Sequence, residues 1–521
     1  MGTAGMEKRD RVRIIERVKE ILIAVLFISA ILLLAFFGKD ISLEELSSFT
    51  LAMQEDDAYT PELSELMRPL QIKVNFGSDI YTVLSADWKL EEHGISIDTE
   101  TDDTGIYDYI RYLMMQYLNQ PDIMPEKIEK AQYDEVMSYP SMTASFSFDI
   151  PFADYLENYG TDMPSGGDTI ACMTKISFSS ASSENLFIYD ASADTYYRFV
   201  TQDETFAENM SAELSDMVED IENSGITVYY TIESLAGIKN DTLIPLYLEN
   251  GMESVKCSSE FSISDNSEIS SYEQMFFPSG LDFVRKITEN KGSLIYTYGY
   301  SQKVLVLDEN GSISYSEELD STQYSEIGFY EGLSAAVEYI KNHGGWSVMF
   351  GNGMKPYLKE VEAVQSDDGK YKGYRYGFGV KLNDVPVTFS TGNMLNVEIY
   401  GSQVTLYERD IISMSSENIA YKSDIINAID VITDEYEEIE SIVADAWLKA
   451  GEKEKADLYT SEDQFDVVVK NIDMIQFCML RDTAKNPSVI VPAWYIKVDG
   501  VIFWCDVDDG HILAWNDAGV F

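Results

Sequence analysis

Histidine is nearly absent from this chain: His93, His343 and His511 are three in 521 residues, each followed by Gly or Ile. None stands in HExxH or another paired ligand spacing, so a zinc hydrolase site of the common kind is excluded. Cysteine is almost as sparse. Cys172, Cys257, Cys478 and Cys505 are widely spaced, form no CxxC, and are too few for a disulfide scaffold. Three full pairings are open to them, and so are free thiols. Gly38-Lys39 and Gly369-Lys370 are followed by Asp and Tyr, which leaves the chain without a P-loop. Ser347, in Gly345-Trp346-Ser347-Val348-Met349, lacks the second glycine of a nucleophile elbow. Basic residues are scarce, 37 against 90 acidic ones for a formal net charge of −53, and this excludes nucleic acid as a partner.

What the chain does have begins with one long apolar run. Ile21 to Phe37 is uncharged, with Ser29 its only polar side chain, and Gly38, Lys39 and Asp40 follow at once. At ~1.5 Å per residue a helix over this run reaches roughly 26 Å, enough to cross a hydrocarbon core upright. Lys8, Arg9, Arg11, Arg13, Arg17 and Lys19 precede it, so the basic tail stays cytoplasmic and everything after Asp40 is exported. A cleaved signal peptide is the alternative, but no small-x-small site follows Leu34. Removing the six cations and four anions of the first twenty residues leaves 31 basic and 86 acidic residues, so the exported part carries −55. That field repels anionic headgroups and keeps the domain soluble above the bilayer.

Beyond a polar connector the pattern is mixed helix and strand. Ile106, Ile110, Leu113 and Tyr117 mark an amphipathic helix ending before Pro121, and Met210, Leu214, Met217 and Ile221 mark another stopping near Gly225. Residues 141–150 and 185–200 read as strands. LIYTYG (294–299), KVLVLD (303–308) and ISYSE (313–317) read as a meander, with Asn310-Gly311 as a hairpin turn. Ser334 is the expected N-cap of a helix running through Val337 and Ile340 to His343-Gly344-Gly345. Strands follow at 374–380, 385–390, 397–400 and 404–409, with turns at Asn383-Asp384 and Gly401-Ser402. The longest helical stripe is Ile425, Ile429, Ile432, Tyr436, Ile439, Val443 and Ala446, with Gly451 as its C′ residue. A terminal meander joins Trp494–Val498, Val501–Val507 and His511–Trp515 through turns at Asp499-Gly500 and Asp509-Gly510. Strand alternation places at least one of Trp494 and Trp504 in the core.

Close carboxylate pairs arise by chance among so many acids and mark no site. Asp506-Val507-Asp508-Asp509-Gly510 superficially resembles a calcium loop but lacks the acid at the twelfth position, and it reads as a hairpin turn. Asn209-Met-Ser and Asn240-Asp-Thr fit the glycosylation pattern, which matters only in a eukaryotic secretory route. No catalytic, cofactor-binding or metal-ligating residue is assigned.

Three segments together resemble the YycH family, with its sister YycI. FFPSGLDFVRKITENKGSLIYTYGYSQKVLVLDENGSISY (276–315) is similar to the family's Arg-x-Ile, Tyr-x-x-Gly and Asn-Gly stretch. EYIKNHGGW, YRYGFGVKLNDVPV and VEIYGSQVTLYER, within 338–409, are similar to its Asn-x-x-Pro-Val and Tyr-x-Arg run. IVPAWYIKVDG (490–500) is similar to its terminal Pro-Ala-Trp-Tyr block, and MTASFSFDIPFADY (142–155) is a weaker echo. The resemblance implies a non-enzymatic, membrane-anchored regulator of a sensor histidine kinase in a two-component system linked to cell-wall homeostasis. Its implied partners are that kinase and a YycI-like protein, reached through transmembrane and ectodomain contacts.

The expectation is therefore an α+β protein: one N-terminal transmembrane helix, then a multi-domain ectodomain of antiparallel sheets with packed helices. Its parts are a cytoplasmic tail (1–20), the span (21–38), a linker (39–68), an N-terminal α+β domain (69–235), a middle domain with a meander (236–325) and a YycI-like domain (326–521). It sits in the cell membrane, single-pass, with the N-terminus cytoplasmic and the ectodomain outside. Two other classes stay open: a cell-surface binding module for a solute or wall polymer, and a carboxylate-dependent wall-processing enzyme.

Overall fold

The computed structural model of the chain describes residues 59–520 apart from 96–104, 249–250, 290–291, 323, 347–353, 367, 415–420, 423 and 461–463. The tail, the expected span, the linker up to residue 58, and Ser347 lie outside the described residues. No described helix is long and apolar enough to cross a membrane.

After a short helix α1 (Leu63–Leu66), alternating side chains build a nine-stranded antiparallel sheet. Its strands are β1 (Gln71–Gly77), β2 (Ile80–Leu84), β3 (Pro125–Ile128), β4 (Ser141–Pro151), β5 (Cys172–Ser179), β6 (Asn185–Asp190), β7 (Thr195–Val200), β8 (Tyr229–Thr231) and β9 (Leu243–Pro245). They lie in the order β3-β7-β6-β5-β4-β1-β2-β8-β9. Helices α2 (Ile106–Leu118), α3 (Lys130–Met137), α4 (Phe152–Asn158), α5 (Glu204–Asn223) and α6 (Ile232–Ala236) accompany it.

Period-two alternation gives this sheet two unlike faces. Ile72, Val74, Met142, Ala144, Ile176 and Phe178 are buried in one core with Ile106, Ile110 and Leu113 of α2 and Leu214, Met217 and Ile221 of α5. The stripes read from the sequence are thus the packed faces of both helices. Asp203 caps α5, its carboxylate accepting from Phe206 N at 3.0 Å. Gln71, Lys73, Thr143, Ser145, Lys175 and Ser177 alternate with the buried set and share the polar face.

The rest of the chain forms mainly one branched fifteen-stranded sheet. A two-stranded pairing of β10 (Gly251–Met252) with β22 (Tyr421–Lys422) stands apart from it. Strand β11 (Val255–Ser259) and helix α7 (Asn266–Phe276) lead into the meander of β12 (Val284–Thr288), β13 (Leu294–Tyr298), β14 (Lys303–Leu307) and β15 (Ile313–Glu317). Helix α8 (Phe329–Asn342) precedes β16 (Met354–Gln365), β17 (Lys372–Leu382), β18 (Val385–Phe389), β19 (Leu395–Tyr400), β20 (Gln403–Arg409), β21 (Ile412–Met414) and β22 (Tyr421–Lys422). Helices α9 (Ala428–Lys449), α10 (Lys453–Leu458) and α11 (Gln464–Lys470) then lead to β23 (Ile472–Arg481), β24 (Val489–Val498), β25 (Val501–Asp506) and β26 (Ile512–Asn516). The meander joins the later strands directly, β15 pairing with β20.

Local chemistry explains most boundaries. Asn383-Asp384 (φ 47° and 66°) and Asp499-Gly500 (φ 46° and 88°) are two-residue turns with both residues left-handed. At Asn310-Gly311 only Gly311 has positive φ (83°); Asp308 N donates to Ser312 O at 2.9 Å and closes a longer loop. Helix α9 ends as expected at Gly451 (φ 84°), with Gly451 N donating to Leu448 O and Glu452 N to Trp447 O, a Schellman motif.

Two expectations change. Ser334 is not an N-cap, because α8 is already running at Phe329 with Gly328 as its cap. The upstream turn is held by packing: Phe329, Gly332 and Leu333 are buried, and a Cβ on Gly332 would collide with Tyr376 Oη. The sheets are also not wholly antiparallel, since β18 and β23 pair in parallel, Val387 opposite Met479. That pair is made across the α9–α11 excursion, which leaves no turn signal to read.

Candidate functional site

The residues singled out in the sequence do not converge. His93 stacks on Trp88 with ring centroids 4.3 Å apart. His343 caps α8, its Nδ1 lies 2.8 Å from Tyr339 O, and burial pushes its pKa down. His511 pairs with Glu435 at 2.9 Å, and that hydrogen bond raises its pKa. All four cysteines are free, with Cys257, Cys478 and Cys505 buried. In the Asp506–Gly510 turn, Gly510 N donates to Asp506 O at 3.1 Å and Lys422 pairs with Asp508. No group of three metal-binding side chains occurs among the described residues. Trp494 and Trp504 are 1% and 2% exposed, on opposite faces of the last sheet region. Trp494 Nε1 donates to Ile426 O and Trp504 Nε1 to Thr388 Oγ1, each at 2.8 Å.

The acids whose pKa is raised are dispersed as well. Asp154 lies on α4, Glu213 on α5, Asp410 after β20 and Glu440 on α9, each raised chiefly by its own burial. Asp410 is tied to Arg481 at 2.5 Å. Arg409, the end of the Tyr-x-Arg run, is fully buried and meets Glu260 in a two-pronged pair of 2.6 and 2.5 Å. The same guanidinium donates to Gly345 O at 2.9 Å and Gly344 O at 3.1 Å. It therefore bolts the end of α8 to β20 and to the segment after β11.

Two features stand out as able to meet another molecule. The first is the tip where β12 and β13 begin and end. Phe283 is 92% exposed and Tyr300 fully so, with Leu281 and Tyr298 exposed beside them in the same hairpin. Phe283 (φ 70°), Tyr300 (φ 57°) and Ser301 (φ 71°) hold left-handed backbone, which costs energy for side chains of this kind. Exposed aromatics on strained backbone at a sheet edge are a contact surface in waiting.

The second is a cleft of about 1390 Å³ over the polar face of the nine-stranded sheet. Its floor carries Lys73 of β1 and Lys175 of β5, its side is α3, and its far wall is built from Lys381, the β17–β18 turn and β23. Lys73 and Lys175 are half-buried and Lys381 is 6% exposed, while the five lining acids, Asp134, Glu233, Asp241, Asp384 and Asp473, are all exposed. Among the described residues none of these three lysines has a carboxylate within 4.0 Å. Each ammonium instead faces a tyrosine ring: Lys73 over Tyr81 at 4.6 Å, Lys175 over Tyr189 at 5.2 Å, Lys381 over Tyr357 at 5.3 Å. Desolvation pushes all three pKa values down.

Sequence reasoning missed this cleft. The signal was present, a lysine inside otherwise apolar or hydroxylated strands (QIKVNF, MTKISF, GFGVKL) of a chain poor in lysine. No family model matches the chain, and no curated protein matches it. Among solved structures the chain is similar to YycH from Bacillus subtilis, with 14% identity, 86% of this chain and 98% of that one covered, and a TM-score of 0.48.

Proposed function

We propose that this chain is a membrane-anchored extracytoplasmic regulator that modulates a membrane sensor histidine kinase of a two-component system linked to cell-wall homeostasis. The observation that carries the reading is the aromatic tip. Phe283 and Tyr300 belong to the 276–315 segment whose motifs resemble the YycH family, and they stand exposed on strained backbone instead of packing inward. The other two family-like segments supply β17–β20 and β24 of the same sheet, so the sequence likeness falls on one structural body. The apolar run 21–37 supplies the anchor, and as a one-pass helix it offers a second contact with kinase helices. A YycI-like protein is the further partner.

A cell-surface binding module for a solute or wall polymer is the second reading, and the lysine-lined cleft favours it. The test of the regulator is site-specific photo-crosslinking from positions 283 and 300 of the full chain in membranes. A sensor histidine kinase in the crosslinked product is the expected result. Crosslinks that contain no kinase, at normal expression and topology, would overturn the reading.

A further inference from the structure

In a chain of net charge −53, three lysines face one cleft without a carboxylate partner. Burying an ammonium without a counter-charge is unfavourable, so a fold keeps such groups where something else gains from them. Core packing does not need them. The opposite face of the same strands holds the hydrophobic core, and Lys73 and Lys175 lie on the polar face, where the lining carboxylates Asp134 and Asp241 act on them only from beyond 4.0 Å.

The arrangement selects among anions. The lining contains six lysines, with Lys130, Lys239 and Lys470 on the exposed rim, and no arginine. A guanidinium fork matches a planar carboxylate in two-pronged fashion, whereas ammonium groups act as point charges and suit the many-sided oxygen shell of phosphate. Hydroxyl donors stand beside them: Tyr133 Oη and Thr143 Oγ1 meet at Ser177 Oγ, at 2.9 and 3.1 Å. The charges are also spread out. Lys73 is opposite Thr143 and Lys175 opposite Ser145, two strands apart, so their stems start roughly 10 Å apart across the sheet. Lys381 approaches from the other wall. A ligand with more than one anionic group matches this spread of charges.

We infer that the cleft over β1, β4 and β5 binds a ligand carrying two or more phosphate groups, held between Lys73, Lys175 and Lys381. This goes beyond the regulator reading and stands without it. A soluble phosphate ester, a phosphodiester chain and a lipid headgroup share the chemistry.

The test uses the full chain in neutral detergent with inorganic tripolyphosphate as the probe and citrate as the carboxylate comparison. The basic N-terminal tail also attracts polyphosphate, so binding is read by titration calorimetry together with amine-labelling protection at each lysine. Tripolyphosphate is expected to protect Lys73, Lys175 and Lys381 where citrate does not. Lys73→Met and Lys175→Met should each weaken that binding by about tenfold. Their thermal midpoints should equal or exceed that of the parent, because methionine keeps the stem and removes a desolvated charge. Flotation with phosphatidylglycerol vesicles separates the sources. Retention that tripolyphosphate competes away and the variants lose points to a headgroup; tripolyphosphate binding without retention points to a soluble or polymeric phosphate. Absence of protection, equal protection by citrate, or undiminished binding by the Lys73→Met/Lys175→Met double variant would overturn the inference.

Discussion

Replacing Glu260 with alanine leaves the Arg409 guanidinium buried with only neutral acceptors. In the parent it makes two charge-assisted bonds of 2.6 and 2.5 Å to Glu260, with Gly345 O, Gly344 O and Tyr407 Oη as further acceptors. Arg409 is fully buried, and a guanidinium stays protonated even there, so it does not escape the cost by losing its proton. Breaking a buried pair from one side costs about 3 to 5 kcal/mol. The paired change Glu260→Met with Arg409→Met removes both charges and deprives two carbonyls of a donor, and it should cost less than Glu260→Ala alone. The assay is urea unfolding followed by fluorescence, comparing midpoints at unchanged m-value. A loss below about 1 kcal/mol for Glu260→Ala, or a double variant less stable than the single one, would refute the idea that an uncompensated charge governs this joint.

Four further outcomes follow from the same structure. Trp494→Ala and Trp504→Ala should each lose about 3 to 5 kcal/mol, since both indoles are buried and hydrogen-bonded; equality with the parent in thermal unfolding would contradict this. Gly344→Ala should destabilise strongly, because φ is 108° and the new Cβ would lie 2.7 Å from Arg409 Cζ; calorimetry checks it. Stability should fall as pH rises past 10, read by circular dichroism alongside tyrosinate absorbance. Desolvation raises the half-buried Tyr229 and the buried Tyr407 above the ordinary tyrosine range, to about 12, so their contribution is complete below pH ~10 and lost as pH climbs through the folded values. In the native state a thiol reagent should label Cys172 first and Cys478 and Cys505 only on unfolding, because the last two are fully buried and burial pushes Cys478 up to about 12.

Elements with a local cause were legible in the sequence. The helical stripes at Ile106–Tyr117 and Met210–Ile221 face the core, and Gly451 closes α9. The start of α8 was not legible, because its first turn depends on Gly332 fitting under Tyr376, a contact made across the fold. The β18–β23 parallel pair joins residues about ninety positions apart, Val387 with Met479, and no turn chemistry announces such a pair. The convergence of the cleft's lysines was not legible for a related reason. Lys73, Lys175 and Lys381 sit far apart in sequence, and only the register of β1, β4 and β5 with β17 opposite brings them to one space. Conversely, Phe283 and Tyr300 lie in an alternating meander where aromatics normally pack, and their exposure emerges only from the left-handed backbone at the tip.

The regulatory role proposed above requires that this chain change the output of a sensor kinase through direct contact. The most direct measurement is autophosphorylation of the crosslinked kinase in proteoliposomes, alone, with the full chain, and with the Phe283→Ser/Tyr300→Ser variant at equal incorporation. A change in kinase rate with the parent chain, reduced or abolished by the variant, is expected. A rate unaffected by the parent chain, with both proteins correctly oriented, would contradict it.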